Sequence, residues 1–268
     1  MTMLRLLIVS TMLQLAAAQG APQALNPPKQ PEKIPGFISP AELKWQQDRR
    51  RVRAARQEKS AAIARLFSDA KIKYPPQQVF LRAFKAEDDL ELWVQPTRGK
   101  KFVLLKTYKV CSKSGDIGPK RRRGDMQVPE GFYHINRFNP VSNFHLSLGV
   151  NYPNASDKIL GHKANLGGDI FIHGDCVTIG CLPITDENIK ELYLIALDTY
   201  KTRKRPVPVH IFPMRLTGEN WPKLVEKAGQ KPELLEFWQN LREGYDFFET
   251  NRKPPRVTVS KKGKYSFR

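Results

Sequence analysis

Cysteine is scarce in this chain, with Cys111, Cys176 and Cys181 the only three in 268 residues. That is too few for a disulfide scaffold, and the odd number leaves at least one thiol unpaired within the chain. Long apolar runs are equally scarce. The one dominantly apolar stretch, Leu6 to Ala18, falls short of the ~20 residues a helix needs to cross a bilayer, which excludes a membrane span from the mature chain. Negative charge is short too: 26 Asp and Glu face 45 Lys and Arg, for a formal net charge of +19. There is no Walker A sequence and no G-x-G-x-x-G, so nucleotide-dependent chemistry has no support. The absence of a repeat of roughly 20 to 50 residues excludes a solenoid. Core-forming residues, by contrast, are plentiful. Hydrophobic residues make up 40% of the chain, with 14 Phe and 4 Trp, enough to offset the ordering entropy of a chain this size and to exclude global disorder.

The first segment reads as an address. Arg5 supplies a positive n-region, the apolar stretch an h-region, and Ala16, Ala17 and Ala18 the small residues of a cleavage site before Gln19, so residues 1–18 are expected to be a signal peptide and the mature protein to be exported. Residues 19–39 form a proline-rich leader with little apolar periodicity. Ser39, Pro40 and Glu42 are an N-cap, a first-turn proline and the third member of a capping box, so a basic helix is expected from Pro40 to about Lys71, within residues 40–73. From Val79 the apolar period becomes that of strands. Val79 to Phe84, Leu90 to Val94 and Phe102 to Val110 read as an antiparallel meander, and Gly131 to Arg137, Phe144 to Val150, Asp169 to His173 and Val207 to Phe212 as further short strands. Thr185 opens a helix over Ile189 to Asp198, and Trp221 to Asn251 holds a helix pair. The expectation is one α+β domain over residues 74–248, mostly antiparallel sheet with flanking helices, and a basic tail over 249–268.

Chemistry concentrates in Asp169 to Thr185, D-I-F-I-H-G-D-C-V-T-I-G-C-L-P-I-T. A strand delivers His173 and Gly174 to its end, and a Thr178 to Cys181 turn delivers a thiol eight residues later. Histidine is the side chain whose ordinary pKa suits activation of a thiol near neutrality. Gly180, just before Cys181, allows close approach of a substrate carbonyl, with backbone N–H groups of Ile179 to Cys181 as a candidate oxyanion hole. Two other readings remain open on spacing. Cys176 and Cys181 also fit as buried small hydrophobes beside a hydrogen-bonded histidine, and His162, His173, Cys176 and Cys181 are four candidate zinc ligands, though their spacing is looser than zinc sites use. Cys176 reads as a core filler in preference to a disulfide partner of Cys181 or Cys111.

The segment resembles the catalytic core of the YkuD-type L,D-transpeptidase domain, in which a histidine of an H-G motif precedes a [S/T]-x-G-C motif bearing the nucleophile. It is most similar to the YafK-like branch, with H-G-D-C-V-T-I-G-C over residues 173–181, and the likeness continues in G-D-I-G-P-K (115–120), G-D-M-Q-V-P-E-G-F-Y (124–133), F-H-L-S-L-G-V-N-Y-P-N (144–154) and P-V-H-I-F-P (208–213). The resemblance implies that Cys181 is a nucleophile, His173 its general base, and the Gly174 carbonyl the group that orients the imidazole. Gly180 supplies oxyanion-hole backbone, and His145 and Thr178 are candidate substrate contacts. Ile179 stands where most members have a second His, and Pro183 where they have an Arg, which leaves the usual substrate contacts open. No metal or other cofactor is implied. The implied substrate is a peptidoglycan stem peptide, with an envelope protein linked to peptidoglycan as a further partner, and the implied location is the periplasm or cell wall. Nucleic acid is not expected to bind the basic runs of an exported protein; an anionic envelope polymer suits their charge better.

Overall fold

The computed structural model describes residues 39–268; the expected signal peptide (1–18) and all of the leader but Ser39 lie outside the described residues. Ser39 caps α1 (Pro40–Gln47), its side chain accepting the Glu42 N–H at 3.1 Å. The single helix expected to Lys71 is instead two, because the chain turns extended at Arg49 before α2 (Arg50–Asp69). Local side-chain bonds replace the helical ladder at this break. Arg49 lies 4.2 Å over the Trp45 ring and donates to the Trp45 carbonyl, while Arg53 donates to the carbonyl of Asp48. The break lets Gln46 turn inward, where it donates to the Phe138 carbonyl and accepts the Tyr193 hydroxyl.

The sheet is built from β1 (Gln78–Phe84), β2 (Asp89–Gln95), β3 (Val103–Lys109), β4 (Gly131–Asn139), β5 (Ser147–Val150), β6 (Phe171–His173), β7 (Leu182–Pro183) and β8 (Pro208–Phe212). Its eight strands run in the order β3-β2-β1-β8-β4-β5-β6-β7, antiparallel except for the pairs β1/β8 and β6/β7. Both faces are covered, which is why β1 is buried along almost its whole length and apolar from Val79 to Phe84 except at Arg82. Val79, Leu81 and Ala83 join the larger core under α4 (Asp186–Arg203), while Phe80 and Phe84 point to the opposite side. α2 lays one stripe, Val52, Ala55, Ile63 and Phe67, into the larger core. Its Arg56 forks onto Asp198 of α4 at 2.8 and 2.9 Å.

A short helix, α3 (Ala155–Leu160), leaves β5 through a capping box at Asn154 and Asp157. On the opposite side of the sheet lie α5 (Trp221–Ala228) and α6 (Pro232–Asn251). The basic tail expected over 249–268 is not an appendage. It ends in a hairpin, β9 (Val257–Val259) and β10 (Tyr265–Phe267), whose Tyr265 is 1% exposed and meets Phe132 edge-on at 4.9 Å. Asn240 of α6 bonds both backbone groups of Tyr265, and the Tyr265 hydroxyl accepts from Asn154. V-T-V and Y-S-F alternate as strands do, but the lysines and arginines around them hid that signal. Among the described residues no helix is long and apolar enough to cross a membrane.

Because Tyr265 closes the smaller core, Tyr265→Ala is expected to cost about 3 to 5 kcal/mol, the range for truncating a large buried aromatic. Urea unfolding followed by fluorescence measures it; a loss under about 1 kcal/mol would return the segment to the status of a loose tail.

Candidate active site

The register of two short parallel strands assembles the site. Ile172 of β6 faces Leu182 of β7, so Phe171 lies beside Cys181, and the Phe171 N–H donates to Cys181 Sγ at 3.4 Å. Successive side chains alternate across a sheet, so Phe171, His173 and Cys181 share one face. The thiol in turn donates to the Asp169 carbonyl at 3.6 Å. His173 Nδ1 is 2.5 Å from the Gly174 carbonyl. A carbonyl only accepts, so Nδ1 carries the proton and Nε2 keeps its lone pair. The Phe144 ring packs on the imidazole at 4.7 Å.

Burial sets the charge state of both groups. It pushes the His173 pKa below the ordinary histidine value, against the Gly174 carbonyl, which favours the protonated ring. It also pushes the Cys181 thiol up, against the Phe171 N–H, which favours thiolate. A medium that disfavours charge thus holds a neutral thiol and a neutral imidazole near neutral pH. The directions of both shifts favour neutral groups over a preformed thiolate–imidazolium pair.

The connecting loop is tightly specified. Gly174 donates its N–H to the carbonyls of Phe144 and Leu146, and a Cβ there would come within 2.4 Å of Asp186 Oδ1. That same carboxylate oxygen accepts the Asp175 N–H at 2.7 Å, tying the loop to the start of α4. Gly180 has φ +132°, a conformation side chains rarely adopt. The expected oxyanion-hole donors are already engaged: Thr178 Oγ1 accepts the N–H groups of Gly180 and Cys181 at 3.2 and 2.8 Å and donates to the Cys181 carbonyl. Thr178, a candidate substrate contact, braces the thiol turn through these bonds.

Cys176 is not the core filler expected from the sequence. It is exposed and bonded to Cys111, while Cys181 is the free thiol. The reason is topological: Cys111 follows β3 and donates its N–H to the Pro183 carbonyl at 3.0 Å, so the strand exit runs against the loop that carries Cys176. The bond also removes Cys176 from the candidate zinc set, and among the described residues no group of three or more His, Cys, Asp or Glu is placed to hold a metal ion.

A cleft of about 230 Å³ opens beside Cys181, lined among others by Val110, Ser112, Lys113, Ser114 and Ile117. Its far wall is anchored from below. Lys85 spends its ammonium on the carbonyls of Gly118 and Val128 and on Glu130, and the buried Glu130 also accepts from the Gly118 N–H and Trp238. Of the site residues expected from sequence, only Cys181 lines this cleft. His145, a candidate substrate contact, sits behind Gly174 with φ +68°, its ring 3.7 Å from Asp186 and its carbonyl accepting from Arg51. Sequence reasoning passed over Asp169 and Asp186, which hold the site through a backbone carbonyl and a helix-start carboxylate, and Arg137, which lies a strand pair away in register.

A description of the YkuD L,D-transpeptidase catalytic domain matches residues 90–211. The Escherichia coli K12 protein named "Putative L,D-transpeptidase YafK" is 38% identical over 183 residues, covering 68% of this chain and 70% of that protein. The crystal structure of the helical cell shape determining protein Pgp2 from Campylobacter jejuni aligns with 69% of this chain and 73% of its own at 18% identity and a TM-score of 0.43. The structure of Bd1075 from Bdellovibrio bacteriovorus aligns with 69% of this chain and 75% of its own at 19% identity and a TM-score of 0.37.

The Cys111–Cys176 bond closes a loop with a sequence separation of 65 residues. Chain-entropy arguments put the stabilisation from such closure at roughly 4 kcal/mol. Paired Cys111→Ser and Cys176→Ser substitutions are therefore expected to lower the melting temperature while Cys181 still titrates as one free thiol. Thiol counting under denaturing conditions without reductant should give one thiol in the unmodified protein; a count of three would contradict the pairing.

Proposed function

We propose, from the premise that this chain belongs to the L,D-transpeptidase family with the YkuD catalytic domain, that it is an exported cysteine acyl-transfer enzyme acting on peptidoglycan stem peptides in the periplasm or cell wall. The observation that carries this reading is His173, its Nδ1 held 2.5 Å from the Gly174 carbonyl, on the same sheet face as the single free thiol. His173 Nε2 takes the Cys181 proton as sulfur attacks the carbonyl at the L-centre of the third stem residue. The tetrahedral adduct collapses when the amine of the fourth, D-residue leaves with that proton, and a thioester remains on Cys181. An incoming amine, from another stem or an envelope protein, attacks the thioester; the C–S bond breaks and the amine's proton passes through His173 to the departing Cys181 sulfur, completing transpeptidation. Water in its place gives hydrolysis, an amidase outcome. Oxyanion stabilisation by Gly180 and Cys181 N–H groups requires the oxyanion to replace the Thr178 hydroxyl as their acceptor.

Mass spectrometry of muropeptides released from purified sacculi tests the reading and separates its two outcomes. New cross-links or protein adducts identify the transferase, and loss of D-residues or release of linked protein identifies the hydrolase. Unchanged muropeptides, with equal sacculus binding by the unmodified protein and Cys181→Ala, would instead mark a non-catalytic envelope-binding module. A carbapenem is expected to acylate the unmodified protein once and Cys181→Ser not at all, by intact mass.

His173→Gln is expected to lower the rate by about 10²- to 10⁴-fold with only a modest change in melting temperature, because proton transfer is lost while most of the volume packed on Phe144 is kept. The pH dependence follows from burial. With the thiol raised and the imidazole lowered, the pair stays neutral through neutral pH, so iodoacetamide alkylation of Cys181 should climb only as pH rises into the alkaline range. A fast plateau extending below pH 6 would reveal a preformed thiolate–imidazolium pair and overturn the neutral-pair reading.

A further inference from the structure

A cationic side chain lies in a cross-strand row that leads to the thiol, and nothing in the reaction above uses it. A bulge between Ile135 and Arg137 of β4 sets Arg137 opposite Gly149 of β5, and Gly149 faces Phe171 of β6. Phe171 in turn donates its N–H to Cys181. Arg137, Gly149 and Phe171 thus form one row across β4, β5 and β6 that leads to Cys181, the residue before β7, on the face that also carries His173. Gly149 is what allows Arg137 to cross that row: a Cβ there would come within 2.9 Å of the Arg137 Cβ and 3.3 Å of the Phe171 ring. The guanidinium lies 5.4 Å over the Phe171 ring.

The guanidinium is poorly satisfied where it lies. Among the described residues its buried Nε–H has no hydrogen-bond partner, and the guanidinium's one ion pair is a loose contact of 3.5 Å to Asp169, a largely exposed carboxylate. Asp169 is also the residue whose carbonyl accepts the Cys181 thiol. An arginine with a free, buried donor is a ready partner for a carboxylate, which it can grip with two parallel N–H groups.

We propose that Arg137 is the carboxylate-recognition residue of this site, selecting acyl donors that carry a free carboxylate near the amide that Cys181 attacks. The inference rests on the acyl-transfer reading and deepens it by naming the substrate class. The carboxylate displaces Asp169 from Nη1 and pairs the idle Nε–H. Two groups of a stem tetrapeptide offer this chemistry, the C-terminal carboxylate of the fourth residue and the side-chain carboxylate of a diamino acid at the third.

The test uses three synthetic tetrapeptides: both carboxylates free, only the C-terminal one amidated, and only the side-chain one amidated. Turnover is measured with the unmodified protein, Arg137→Gln and Arg137→Lys, and binding by calorimetry with the same residues at position 137 in a Cys181→Ala background. Arg137→Gln is expected to lower kcat/KM for the fully free peptide by about 10- to 100-fold, mostly through KM, and to weaken its binding in parallel. Arg137→Lys restores part of the loss. Whichever amidation costs the unmodified protein as much as Arg137→Gln does, and costs Arg137→Gln nothing further, identifies the carboxylate. Melting temperature and the Cys181 alkylation rate should not move. Equal losses on all three peptides, or no loss, would overturn the proposal while leaving the acyl-transfer reading intact. Carboxylate-dependent binding without Cys181-dependent turnover would do the reverse, and the absence of both would overturn both.

Discussion

Burial of α4 is the constraint on which the rest of the structure depends. Six consecutive residues, Leu192 to Leu197, are wholly inaccessible, which a helix achieves only when packed on several sides. The sheet covers one side and α2 another. The polar groups of α4 then serve as fixed points for distant segments: Asp186 for the loop after His173, Glu191 for Tyr108 and Lys106 of β3, Tyr193 for Gln46 of α1, and Asp198 for Arg56 and Tyr74. Each anchor is a partnered polar group at the edge of an apolar helix, the arrangement that keeps burial from leaving unsatisfied donors and acceptors.

Anchoring at Asp186 joins that packing to the chemistry of the site. The loop it holds carries Gly174, whose carbonyl fixes the tautomer of His173, and leads on to the Thr178 turn that presents Cys181. The Cys111–Cys176 bond ties this loop to the segment lining the cleft on its other side. A short loop held at both ends gains rigidity without needing a core of its own. That rigidity allows a backbone carbonyl, which has no freedom to rotate like a carboxylate side chain, to orient an imidazole.

The charge of +19 is partly consumed inside the fold. Arg51 bonds the carbonyls of Ser142 and His145, Arg82 is buried between Glu91 and Glu249, Arg215 clamps Asp89 and Glu91, and Lys120 is held by Asp125. Side chains that contribute to that charge are therefore in part structural pins. Their guanidinium groups suit this use, since a planar fork satisfies carbonyls and carboxylates at fixed angles.

The sequence by itself determined what local periodicity and spacing encode. The strands β1 to β6 and β8, though not the two-residue β7, the Thr185 helix start, the Trp221 to Asn251 helix pair and the H-G and G-C motifs all rest on residues close together in the chain, where alternation and turn residues act directly. Tertiary structure alone decided what depends on contacts across many residues. It paired Cys111 with Cys176 because two chain exits happen to meet. It also drew the basic tail into the smaller core, where Tyr265 found Phe132 and Asn240 although its neighbours carry charge. Register, set by a bulge and by one strand lacking a side chain at Gly149, brought Arg137 toward the thiol. Sequence distance does not reveal such meetings, because strand pairing and loop closure are fixed by the burial of the whole domain rather than by any one segment.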